Sequence, residues 1–178
     1  MSGPINELPA VYLQPGELYL ARRPALLKTV LGSCVGATFW SPRLGIGALC
    51  HGVLPHSPQG VRGFEGYRYV DFAIYHLIQQ MEGSGAAPGE VQVKLFGGAD
   101  VLPVGARRSW RATVGQQNCQ AALEVLRREN YSILTSDIGG LSGRTIQFDT
   151  ETGIVLVRRL ERLGVRGTRA GWQRKALL

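Results

Sequence analysis

A mixed α/β fold, with helices packed on one side of a largely antiparallel or mixed sheet, is predicted by three features of the sequence. Short apolar runs bounded by turn residues are numerous, two stretches carry helical periodicity, and two pairs of runs are joined by hairpin-type turns. Hairpins join antiparallel strands and so exclude an all-parallel sheet. The chain has 178 residues, 44% hydrophobic and 19% charged, enough for one domain with an ordinary buried core.

The elements follow in order. Residues 17–21 and 26–31 read as short strands separated by Arg22-Arg23-Pro24. Residues 35–40 and 46–53 are apolar or small runs flanking Ser41-Pro42-Arg43-Leu44, which is turn chemistry, so they form a hairpin. Residues 68–81 read as a helix: Val70, Ala73, Ile74, Leu77, Ile78 and Met81 recur at three- and four-residue steps and give one apolar face. Residues 91–96 form a strand stopped by Gly97-Gly98. Residues 116–129 are a second helix, with Cys119, Ala122, Leu123 and Leu126 expected inward. Residues 131–136 are a strand, and residues 145–148 and 154–157 form a last hairpin across Asp149-Thr150-Glu151-Thr152-Gly153.

Charge is unevenly placed. Residues 158–178 hold seven basic side chains against Glu161, a net of +6, whereas the preceding residues hold 13 basic and 12 acidic ones, a net of +1. The basicity therefore belongs to a C-terminal segment and is no nucleic-acid signature of the body. The expected organisation is a single domain over 1–158 and a basic, poorly ordered tail over 159–178. No apolar run approaches the roughly 18 residues of a membrane span, and residues 1–10 lack a signal-peptide pattern. A cytoplasmic protein is expected. Three cysteines, Cys34, Cys50 and Cys119, are too few and odd in number for a disulfide framework. No Cys-x-x-Cys or His-x-x-x-His spacing suggests a metal site, and neither Gly97-Gly98 nor Gly139-Gly140 sits in a phosphate-loop or dinucleotide pattern. No cofactor or metal is expected.

The first hairpin carries the candidate chemistry. If the turn sets Trp40 opposite Gly45, partner numbers sum to 85 and Cys34 faces His51 across the strands. Opposite residues share a face with Cβ atoms ~4.5–5.5 Å apart, within reach for a thiol to pass its proton to an imidazole. A slip of one residue would part them onto opposite faces. Gly32-Ser33-Cys34 allows a sharp turn whose Ser33 and Cys34 amides can meet an oxyanion. Spacing alone leaves a buried cysteine beside a core histidine as an equal reading. Thr29 stands before the turn as a group able to orient the imidazole, or simply as a β-branched strand residue. Cys50 and Cys119 read as small buried hydrophobes, His76 as a surface residue and His56 as a loop residue in Pro55-His56-Ser57-Pro58.

Six stretches carry a resemblance. They are Thr-Val-Leu-Gly-Ser-Cys-Val (29–35), His-Gly-Val-Leu-Pro (51–55), Arg-Tyr-Val-Asp-Phe-Ala-Ile (68–74), Lys-Leu-Phe-Gly-Gly-Ala (94–99), Val-Gly-Gln-Gln-Asn (114–118) and Asp-Ile-Gly-Gly-Leu-Ser-Gly-Arg (137–144). In this order they resemble the CheD family of chemoreceptor glutamine deamidases. The resemblance implies a layered α/β sandwich similar to the catalytic domain of the cytotoxic necrotizing factor toxins. It implies deamidation of glutamines on methyl-accepting chemotaxis receptors, with Cys34 as nucleophile, His51 as base and a threonine before the cysteine as third member. The family often places that threonine six residues ahead of the cysteine, where this chain has Lys28. Thr29, five ahead, is the candidate. Receptor cytoplasmic domains are the implied substrate, and a CheC-type phosphatase an alternative partner that would make the chain a regulatory binding protein.

Overall fold

The structure, a computed structural model, describes residues 8–101, 112–160 and 171–175. In chain order the elements are β1 (Ala10–Tyr12), β2 (Leu18–Ala21), β3 (Leu26–Leu31), β4 (Val35–Ser41), β5 (Ile46–Gly52), α1 (Val70–Gly83), β6 (Gln92–Gly97), α2 (Val114–Arg128), β7 (Ile133–Ile138), β8 (Arg144–Asp149), β9 (Val155–Arg159) and β10 (Gln173–Lys175). The strands make two sheets, not the one expected from the sequence. One runs β1-β3-β8-β9-β10 and the other β2-β5-β4-β6-β7. The β1–β3 and β6–β7 pairings are parallel and the rest antiparallel, so both sheets are mixed.

Side-chain alternation explains the layering. Leu27 and Leu31 of β3, Ile146 and Phe148 of β8, and Val155 and Val157 of β9 cluster with Leu49 of β5 and Phe96 of β6, filling the space between the sheets. The opposite face of the second sheet, Val35, Ala37, Phe39, Ala48, Cys50, Val93 and Leu95, packs on the apolar stripes of α1 and α2. β4 and β5 are therefore covered on both sides and read as near-continuous apolar runs. Lys94 crosses the inner layer, its buried Nζ donating to the carbonyls of Gly153 and Lys175 at 2.8 Å each.

α1 buries the six residues that its periodicity predicts. α2 begins with a capping box in which Thr113 and Gln116 each bond the other's backbone. Its buried stripe is Gly115, Asn118, Ala121, Ala122, Val125 and Leu126, rotated from the one expected. Leu123 faces solvent and Cys119 is only half-buried. A Cβ at position 115 would overlap the Gly98 and Ala99 carbonyl oxygens, so the helix lays this glycine against that backbone and turns Asn118 inward.

The first hairpin pairs Trp40 with Gly47 and Gly36 with His51. The expected register is off by two residues, because the turn is Pro42-Arg43-Leu44-Gly45, with Gly45 at φ +63° and its N–H bonded to the Ser41 carbonyl at 3.0 Å. A two-residue shift leaves the face unchanged. Cys34 lies one step before β4 and packs against the cluster between the sheets, the side on which His51 lies, without bonding the imidazole. Part of the segment read as a tail joins the first sheet: β10 pairs with the open edge of β9, and Arg158 stacks on Trp172 at 4.8 Å. Arg162, Arg166 and Arg169 lie outside the described residues.

Candidate active site

The two sheets meet at His51. The imidazole is 2% exposed, and its Nδ1 lies 2.7 Å from Thr29 Oγ1, which reaches across from β3 of the first sheet. The Thr29 hydroxyl donates to the Leu13 carbonyl at 2.8 Å. With that hydrogen on Leu13, Oγ1 accepts from Nδ1–H, the tautomer in which Nε2 carries the lone pair. Nε2 is buried with no hydrogen-bond partner among the described residues. The His51 backbone is held on the other side, its N–H donating to the Glu17 carbonyl and its carbonyl accepting from Gly16, both at 2.8 Å.

Three consecutive carbonyls anchor the turn that carries Cys34. Ala99 N–H donates to Gly32 at 2.8 Å, Asn118 Nδ2 to Ser33 at 2.9 Å, and Gly98 N–H to Cys34 at 2.7 Å. The second hydrogen of Asn118 Nδ2 goes to the Val53 carbonyl at 2.9 Å. One side chain thereby ties the turn bearing the thiol to the end of the strand bearing the imidazole. The Gly97-Gly98 turn must come close: φ is +104° and +64°, and a Cβ on Gly97 would overlap the Cys34 carbonyl oxygen. Arg144, fully buried on β8, secures that turn by donating to the carbonyls of Gly97, Asp137 and Gly139 and pairing with the Asp137 carboxylate at 3.2 Å. Arg159, 2.6 Å from Asp137, and Lys175, 4.0 Å from it, complete the ion cluster.

A protein-family model described as CheD chemotactic sensory transduction matches residues 53–159. The probable chemoreceptor glutamine deamidase CheD 2 of Geobacter sulfurreducens is 42% identical over 88% of this chain and 93% of its own length. The probable chemoreceptor glutamine deamidase CheD of Pseudomonas syringae is 39% identical over 89% of this chain and 93% of its own, and that of Maridesulfovibrio salexigens 37% over 88% and 95%. The chain belongs to the CheD family.

Within this CheD fold the electrostatics of the site are those of a neutral pair. Burial lowers the His51 pKa from 6.5 to about 4, opposed by the Leu13 carbonyl and the Glu17 charge. Burial also raises the Cys34 thiol above its ordinary 9.0, opposed in part by its own backbone N–H. At neutral pH the resting state is thiol and imidazole, not thiolate and imidazolium. The proton has a place to go, since the Nε2 lone pair is free.

The other candidates sit elsewhere. Cys50 is buried among α1, α2 and the second sheet, its pKa pushed to about 12 by burial. Cys119 flanks the opposite side of the Gly97-Gly98 turn, 4.0 Å from the Gly98 carbonyl. His76 lies off the buried stripe of α1, partly exposed; it stacks on Phe72 and is bonded by the Tyr67 hydroxyl at 3.2 Å and Gln80 at 3.1 Å. His56 is exposed, 3.7 Å from Asp71. Lys28, at the position where the family often has its threonine, falls on the outer face of β3, where alternation turns it away from His51. Asn118 and Arg144 were not assigned roles from sequence. The available signal for Asn118 was an amide on the inner stripe of a helix, a position that demands buried partners.

Proposed function

We propose that this chain is a cytoplasmic protein-glutamine deamidase acting on the cytoplasmic domains of chemotaxis receptors through a thioester on Cys34. The observation that supports this reading most is the Leu13–Thr29–His51 chain of hydrogen bonds, which leaves Nε2 unprotonated and unpartnered on the face that Cys34 shares. The names of its CheD relatives supply the substrate class. The layered sandwich similar to the cytotoxic necrotizing factor domain is part of the same proposal.

The chemistry proceeds in balanced steps. Nε2 takes the Cys34 proton as the sulfur attacks the side-chain carboxamide carbon, forming the C–S bond and an oxyanion. In this reading the backbone N–H groups of Ser33 and Cys34, on the turn that carries the sulfur, receive that oxyanion. The C–N bond then breaks as imidazolium returns its proton to the departing ammonia. Water, deprotonated by Nε2, attacks the thioester, and the C–S bond breaks to give glutamate and the thiol. Thr29 keeps Nδ1 protonated throughout. Ammonia release from purified receptor fragments tests the reading: wild type should release it and Cys34→Ala should not. New amino termini in place of ammonia would indicate a peptidase, and full activity in Cys34→Ala would end the proposal.

A further inference from the structure

We propose that Asn118 is a positioning residue that aims the Cys34 N–H at the substrate oxyanion; this rests on the deamidase reading above. In a trans peptide the C=O and the following N–H point in opposite directions. The Ser33 carbonyl is drawn toward α2 by Asn118 Nδ2 at 2.9 Å, so the Cys34 N–H of the same peptide unit is turned away from the helix. The Gly32 carbonyl, held by Ala99 at 2.8 Å, fixes the Ser33 N–H in the same manner. Of these anchors only Asn118 is a side chain, and so only it can be removed without altering the backbone.

The side chain is kept for its donors. Both Nδ2 hydrogens are used, on Ser33 and Val53, while Oδ1 is buried with no partner among the described residues. Residue 118 is fully buried, and an amide with one idle end is a costly occupant of an apolar stripe unless its other end has a task. Bonding Val53 as well ties the turn to the residue just past β5, two beyond His51. The donor would thus be aimed relative to the base.

Two reactions of the same thiol separate this role from general support. Deamidation passes through an oxyanion and needs the aimed N–H. Alkylation of Cys34 by iodoacetamide needs the thiolate but forms no oxyanion at carbon. Asn118→Leu, which keeps the branch at Cγ, should lower kcat for ammonia release by ~10²-fold, the order seen when an oxyanion donor is lost. KM and the rate and pH profile of alkylation should stay within about two-fold of wild type on that same basis. Equal losses in both reactions overturn the proposal, as does an unchanged kcat. If Asn118→Leu does not fold, the wild-type protein answers. A receptor peptide with glutamate semialdehyde at the target glutamine forms a hemithioacetal with Cys34, and the Cys34 amide resonance should move downfield. A stationary resonance in a formed adduct overturns the proposal. A wild type that releases no ammonia sinks the deamidase reading and this role with it, whereas an active wild type with an unaffected Asn118→Leu sinks the role alone.

Discussion

Replacing His51 by glutamine should change how stability responds to acid. The folded imidazole titrates at about 4 and the unfolded one at 6.5. Between those values the unfolded chain binds more protons, so the folded state loses stability as pH falls through the window. Above pH 6.5 both forms are neutral and the term vanishes. Two and a half units at ~1.4 kcal/mol each give about 3 kcal/mol of acid destabilisation assignable to this one group. Urea unfolding of wild type and His51→Gln at about pH 7, 5.5 and 4 measures it, since other titrating groups cancel in the difference. The wild-type advantage at neutral pH should shrink by about 3 kcal/mol on reaching pH ~4. Parallel curves would mean that His51 is not held neutral by burial, and the basis for an unprotonated Nε2 would be lost.

Further outcomes follow from the same contacts. Thr29→Val keeps the shape but strips the Nδ1–H of its acceptor and Leu13 of its donor. It should cost about 1–3 kcal/mol in denaturant unfolding and ~10²-fold or more in kcat. Gly97→Ala combines φ +104° with overlap on the Cys34 carbonyl, whereas Gly139→Ala has φ +72° and open space. Melting should show the first losing more than about 3 kcal/mol and the second only about 1; equal losses would show that the close approach is unimportant. The raised thiol predicts that iodoacetamide labelling of Cys34 keeps accelerating above pH 9, its ordinary pKa. A plateau near neutral pH would instead reveal a preformed thiolate–imidazolium pair.

Much of this was legible in the chain. The stripe of α1 is visible because every one of its contacts is apolar and local periodicity decides it. The shared face of Cys34 and His51 survives a misjudged turn because strand parity is insensitive to a two-residue slip. The division into two sheets was not legible. Buried runs such as those of β4 and β5 say that both faces are covered but not by what. The rotation of α2 was missed for a related reason. A glycine pressed on a carbonyl and an amide bonded to two carbonyls outweighed the apolar stripe through Cys119 and Leu123, and those partners lie far away in sequence. The strand at 173–175 was hidden by its charge, since Arg174 and Lys175 read as solvated until the edge of β9 is known.

The covalent chemistry meets its most direct test in mass spectrometry of receptor cytoplasmic fragments incubated with wild-type protein and quenched during turnover. Glutamine should become glutamate at discrete positions, with the trapped acyl adduct on the peptide containing Cys34 and neither product formed by Cys34→Ala. Conversion without an adduct on that peptide, or conversion that persists in Cys34→Ala, would show that the Cys34 sulfur is not the attacking atom.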